Sequence, residues 1–342
     1  MKILTVFATG LTIGGVAQVG INMAECLHEA GHESWIYLHN DTTVDVMYKE
    51  SFNKLRLYNQ NPIKKMFSLH KPPKEFDLII YHCGRKSYRD VPKFDGHRIL
   101  FHHTEDTGLQ SYFVDKIKVE RIFFVSNWAK RHFLKGENLE NKINKNGASV
   151  EDAWIEARTW DDSKFGVQYP PINKRNFDRR IRYNLNSCGQ LLKKVKVGGD
   201  WFSDWFEFLT KDLSKIIPMD IKIDSIKTVQ QKRDFWNGND AVIWVSTTKE
   251  SFGLNLHEAV FCGCVPIIYH KNDATQEIAG DSGAGCFFDT RDELIEIINN
   301  LKQDPSEVER HSELSLKVTE QLLYENWYKT FMEKVKDITG NV

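Results

Sequence analysis

The sequence predicts an α/β protein of two domains built on parallel sheets, and three features predict it. Short, nearly continuous apolar runs such as "KILTVF" and "HRILFHH" recur, separated by longer crossover stretches. Runs of that kind suit a parallel sheet, whose crossovers cover both faces and leave no solvent side. The length, 342 residues, favours two cores over one. Finally, "QYPPINKRNFDRR" at residues 168–180 breaks the pattern with adjacent prolines, which continue neither a helix nor a central strand.

The elements follow in order. Lys2–Phe7 reads as a buried strand, with "ATGLTIGG" as the loop behind it. Val16–Ala30 carries apolar residues at helical spacing, and Gly31 supplies a stop. "SWIYLH", "KPPKEFDLIIYH", "HRILFHH" and "ERIFFVS" give four more strands, and a helix starts at Asn127. Residues 136–166 are polar and read as a surface excursion. Beyond the prolines, residues 180–184, 194–197 and 220–224 are candidate strands. "NDAVIWVS" is a firmer one, followed by a helix from about Leu254 to Cys262 and the strand "VPIIY". "LLYENWYKTFMEKVKDI" closes the chain as a long amphipathic helix. Ligands in such folds gather where strands end, so the loops 8–15, 82–85, 102–106 and 126–127 are candidate site segments.

Composition removes several classes of function. With 46 basic and 47 acidic residues the formal charge is −1, so no basic field favours nucleic acid or an anionic membrane. Six cysteines, at positions 26, 83, 188, 262, 264 and 286, form neither zinc knuckles nor a disulfide ladder. Reduced thiols in a cytoplasmic protein are expected. The opening "MKILTVFATG" reads as a core strand, too short before Gly10 for a signal sequence, and no stretch has the length of an integral membrane segment.

The densest chemistry lies in "ESFGLNLHEAVFCGCVPIIY", residues 250–269. A strand ending near Val245 would deliver Glu250 to a cleft, and Gly253 would let backbone approach a ligand closely. The amides opening the next helix, at Ser251, Phe252, Gly253 and Leu254, suit a negatively charged group. Glu258 falls about one turn into that helix. Two acids in this setting can be an acid–base pair, metal ligands, or acceptors for the hydroxyls of a sugar or ribose. A plainer assignment has Glu250 complementing the helix dipole and Glu258 facing solvent. Elsewhere, Gly14 and Gly15 separate the first strand from the first helix without forming the G-x-G-x-x-G dinucleotide fingerprint. His102 and His103 close a strand beside Glu105 and Asp106. Neighbours on a strand point to opposite faces, so a metal cluster is not expected there.

"ESFGLNLHEAVFCGCVP" resembles the signature of retaining GT-B glycosyltransferases, specifically glycosyltransferase family 4, in the spacing of Glu250 and Glu258 and in Gly253, Gly263 and Pro266. "TIGGVAQVGINMAECLHEAGHE", "FHHTED", "FFVSNWAKRHF", "VQYPPINKRNF", "TQEIAGDSGAGCFF" and "ENWYKTF" are similar to further segments of that family. The resemblance implies two Rossmann-like domains facing a central cleft. Residues 1–170 would form the acceptor-side domain and residues 171–323 the donor-nucleotide domain. Residues 324–342 would be a helix packing back on the first. It implies Glu250 as the acid beside the donor sugar, Glu258 as the acid on the ribose, and Gly14 and Gly15 bordering the phosphates. It also places a histidine near the donor sugar, His103 or alternatively His102. Ser251, Phe252, Gly253 and Leu254 would complete the donor contacts.

One departure stands out. The family opens its second domain with a glycine–arginine pair and a nearby lysine that clamp the diphosphate. Here Gly189 is followed by Gln190, leaving Lys193, Lys194 or Arg180 to supply the charge. The function implied is retaining transfer of a hexose, mannose or glucose, from a GDP- or UDP-linked sugar to a glycan or a glycosylated protein or lipid, with no metal or other cofactor required. A nucleotide-sugar epimerase and a non-catalytic glycan-binding module are the alternatives.

Overall fold

The structure, a computed structural model, describes residues 1–7, 15–38, 54–59, 73–82, 94–103, 117–135, 162–192, 200–223, 225–226, 228–245, 252–269 and 274–340. The chain divides into two compact units, Met1–Pro171 with Tyr324–Val342, and Ile172–Leu323.

The first unit opens with β1 (Lys2–Phe7), α1 (Gly15–Glu29), β2 (Glu33–Leu38), β3 (Arg56–Asn59), β4 (Glu75–His82) and β5 (Asp95–His102). Then come β6 (Arg121–Phe124), α2 (Asn127–Lys135) and β7 (Phe165–Val167). The seven strands pair in the order β3-β2-β1-β4-β5-β6-β7, and each pairing is parallel. The order reverses between β1 and β4, which makes their carboxyl ends the topological switch point. From Ile3 to Phe7 every residue of β1 is buried, as a strand covered on both faces requires. Ser126 caps α2, its Oγ accepting from the Ala129 amide at 3.0 Å.

The second unit holds β8 (Cys188–Leu192), α3 (Asp200–Glu207), β9 (Met219–Ile223), α4 (Val229–Gly238), β10 (Ala241–Trp244), α5 (Leu254–Phe261) and β11 (Val265–Tyr269). It continues through α6 (Thr275–Asp281), β12 (Cys286–Phe288), α7 (Arg291–Gln303) and α8 (Pro305–Val318). Its sheet runs β12-β11-β10-β8-β9, again parallel, with the switch point between β8 and β10. Trp205, Phe208, Leu213, Ile243, Val265 and Leu294 belong to one buried cluster around it.

One expected strand is replaced. Residues 180–184 form no ladder, because Arg182 turns inward and donates to the carbonyls of Trp236 at 2.9 Å and Asn237 at 3.1 Å. The strand that opens this sheet is β8, eight residues later than the alternation of "RRIRYN" suggested. Residues 194–197 lie outside the described residues.

The last helix, α9 (Tyr324–Thr339), belongs to the first unit, and its side chains say why. Trp327 and Phe331 are fully buried and stacked at 4.8 Å, and Phe331 reaches Phe123 of β6. Lys334 Nζ donates to the Val167 carbonyl at 2.6 Å, and Arg121 pairs with Asp337 at 2.6 Å. The Tyr324 hydroxyl donates to Glu25 of α1 at 3.2 Å. Truncating a buried indole removes its apolar contacts and leaves a cavity, so Trp327→Ala should cost about 3–5 kcal/mol, read as a lower urea midpoint for the first unit.

Candidate functional site

At the carboxyl edge of the second sheet, the chain turns into α5 through Gly253, which sits in the left-handed region at φ 74° and ψ 55°. A side chain there would be strained, and its Cβ would meet the Thr275 methyl at 2.8 Å. The first turn of any helix leaves amides without intrahelical partners, and Gly253 brings no side chain to occupy them. Phe252 stacks on His257 with ring centroids 4.1 Å apart. His257 Nδ1 lies 3.1 Å from the Gly253 carbonyl, the geometry of a donated hydrogen bond that locks the turn. Burial pulls the His257 imidazole down to about 4, so the lock is neutral. His257 was not among the residues expected to matter.

Glu258, one turn into α5, is 2% exposed, which rules out the solvent-facing assignment. Lys232 in the first turn of α4 places its Nζ 2.5 Å from Glu258 Oε2. The Lys232 side chain is 13% exposed. The contact is an ion pair rather than a well-aligned hydrogen bond. Burial pushes the Glu258 carboxyl above its ordinary value, and Lys232 opposes the rise. A capping box sets the start of α4: Thr228 Oγ1 accepts from the Gln231 amide, and Gln231 Oε1 accepts from the Thr228 amide, both at 3.1 Å. Lys232 was missed because a lone lysine in "TVQQKRDF" carries no motif, and only the fold sets it against residue 258.

The other cations resolve differently. Arg180 donates to the Asn237 carbonyl and, with Arg182, closes the carboxyl end of α4. That end precedes β10, so Arg180 lies at the amino-terminal edge of the sheet and does not replace a phosphate clamp. Cations there complement the helix dipole. Gln190, which follows Gly189 in place of the arginine that the resemblance implied, is buried and donates its Nε2 to the Val245 carbonyl at 3.0 Å, bracing β8 against the end of β10. A Cβ on Gly189 would crowd Asn239 at 2.8 Å, so this glycine serves packing. Lys193, Lys194, Glu250 and Ser251 lie outside the described residues, as does Gly14.

In the first unit, Gly15 opens α1, and a Cβ on it would meet nothing within 4 Å. Across the switch point, Phe7 at the end of β1 stacks on His82 at the end of β4, with centroids 5.1 Å apart. His82 Nδ1 lies 2.8 Å from His103 Nε2, and both rings are buried. One proton between these nitrogens requires at least one neutral ring. Burial holds His82 down to about 3, while burial and the neighbouring rings hold His103 well below its ordinary value. His102 points the other way, into Phe124 and Phe133, where it serves the core. Among the described residues no group of three His, Cys, Asp or Glu is placed to hold a metal ion. Nor is any helix among them long and apolar enough to cross a membrane.

Comparison with known proteins adds the following. Residues 214–317 match the family model described as glycosyl transferases group 1. A search of curated proteins returns no match. Among solved structures, the chain is similar to HepE of Anabaena in complex with UDP-glucose, at 12% identity and TM-score 0.63, covering 98% of this chain and 100% of that one. A glycosyltransferase from Rickettsia africae aligns at 14% identity and TM-score 0.64, covering 100% and 99%. The catalytic domain of starch synthase IV from Arabidopsis thaliana, bound to ADP and acarbose, aligns at 11% identity and TM-score 0.64, covering both chains fully.

The buried imidazoles set an acid limit. Their folded values lie below the unfolded value near 6.5, so the unfolded chain takes up protons first. Stability is therefore full above about pH 6.5 and falls as pH drops towards the folded values. In urea titrations between pH 6.5 and 5, His82→Phe should lessen that decline by up to about 1.4 kcal/mol per pH unit.

Proposed function

We propose that this chain is a GT-B fold glycosyltransferase that moves a hexose from a nucleoside diphosphate donor, with retention of anomeric configuration, to a hydroxyl of a glycan or of a glycosylated protein or lipid. The observation that carries the donor assignment is Glu258. It is a buried, lysine-paired carboxylate on a glycine-led helix, at the carboxyl edge of a parallel sheet, inside the segment that matches the family. An ionised carboxylate accepts both hydroxyls of a ribose diol, which a protonated one does less well. Glu258 is the ribose-side acid. Glu250, eight residues earlier, is the acid beside the transferred sugar.

Breaking the glycosidic bond builds negative charge on the leaving diphosphate. Oriented amides at the start of α5, around Ser251, Phe252, Gly253 and Leu254, favour that charge in the transition state. Lys193 and Lys194, which follow β8 in sequence, supply the cationic part that Gln190 does not. Gly14 and Gly15 leave room for the phosphates and sugar. His103, held neutral, hydrogen-bonds the donor sugar without adding a positive charge near the developing oxocarbenium ion. The acceptor hydroxyl attacks from the face the diphosphate leaves, and the departing phosphate oxygen takes its proton. No protein nucleophile and no metal enters this sequence. Two donors lead. GDP-mannose is favoured by the resemblance around Tyr169–Pro171, and UDP-glucose is favoured by the ligand of HepE. A cytoplasmic location fits the free thiols at Cys26, Cys188, Cys262, Cys264 and Cys286.

Two measurements test the scheme. In a panel of nucleotide sugars, the true donor should raise the unfolding temperature most, because it binds only the folded state. Glu258→Ala should weaken nucleoside diphosphate binding in calorimetry. Glu250→Ala should instead lower sugar transfer far more than nucleoside diphosphate affinity, and normal binding and turnover in Glu250→Ala would remove that residue from its role. Isomerised free nucleotide sugar without transfer would favour an epimerase.

A further inference from the structure

Building on the donor assignment above, we propose that Lys232 is a positioning residue of the nucleotide site, holding Glu258 ionised and turned so that one oxygen stays with α4 and the other is left for the ribose.

Three observations converge on it. The Nζ of Lys232 stands 2.5 Å from Oε2 of a carboxylate that keeps only 2% exposure. Removing two charges from water costs several kcal/mol per ion, so a lone buried carboxylate would take up a proton instead. The two residues also share one edge of the sheet. Lys232 is in the first turn of the helix that follows β9, and Glu258 is near the start of the helix that follows β10. Both helices therefore begin at the carboxyl ends of strands, where ligands of this fold class bind. Finally, the helix that carries Lys232 is fixed at both ends, by the Thr228–Gln231 capping box and by Arg180 and Arg182. The ammonium is thus delivered by a rigid element.

The charges around the carboxylate are few. Among the described residues, α4 contributes Lys232, and the residue capping the carboxyl end of α5 contributes the thiol of Cys262, which burial keeps protonated. No other charged group among the described residues of β10, β11, α6 or α8 perturbs Glu258.

The test is calorimetric binding of UDP, GDP and ADP to the full chain between pH 5.5 and 9. Affinity that needs a carboxylate is present above its pKa and lost as pH falls. Each ligand's own phosphate titration is common to all variants and cancels in the comparison. Lys232→Gln should weaken binding about tenfold or more near pH 7, recover it as pH rises, and move the midpoint of the profile up by about one pH unit or more. Lys232→Arg should restore the wild-type profile. Lys232→Gln/Glu258→Gln removes both charges and so should fold, bind weakly and show no residual shift. Wild-type affinity in Lys232→Gln, or weakening with an unmoved midpoint, would overturn the positioning role. A wild-type chain that binds none of the three nucleotides would instead overturn the donor assignment, and this inference with it.

Discussion

An ammonium set against a nearly sealed carboxylate is the contact on which the second unit's carboxyl edge depends. Buried ion pairs seldom add net stability, since an apolar pair of similar volume often does as well. The cost of desolvating Lys232 and Glu258 therefore calls for a return in chemistry. A carboxylate that stays ionised while shielded from water is a stronger acceptor than one on the surface, because the low local dielectric does not weaken its hydrogen bonds. The surrounding features follow from that need. Gly253 lets the chain turn tightly into α5, His257 locks the turn, and the capping box fixes where α4 begins.

The two units repeat one architectural idea with opposite electrostatics. Each has a parallel sheet whose order reverses once, and each gathers polar side chains at the strand ends beside that reversal. In the first unit the gathering is uncharged: Phe7, His82 and His103 form a stacked, hydrogen-bonded group that burial keeps neutral. In the second it is an ion pair, with Gln190 bracing β8 to Val245 nearby.

Much of this was legible in the sequence where local pattern and global fold agree. The strands β1, β4, β5, β10 and β11 announce themselves as apolar runs, and the glycine-led helix with Glu258 is marked by spacing and a small-residue turn. The opening of the second unit was not legible. "CGQLL" contains a glycine and a glutamine whose strand character depends on Asn239 and on the Val245 carbonyl, partners about fifty residues away. "RRIRYN" alternates like a strand, yet Arg182 spends its side chain on the end of α4. Lys232 was invisible for the same reason, because its meaning comes from a residue on another helix. His82 was hidden likewise, as one strand-end histidine until β5 set His103 beside it.

The two arginines at the far end of α4 have a wider consequence. A helix whose carboxyl terminus is tied to the scaffold keeps its axis when the segment before it is rewritten. The tether at Trp236 and Asn237 therefore steadies Lys232, little more than a turn upstream, from the end of the rod opposite its cap.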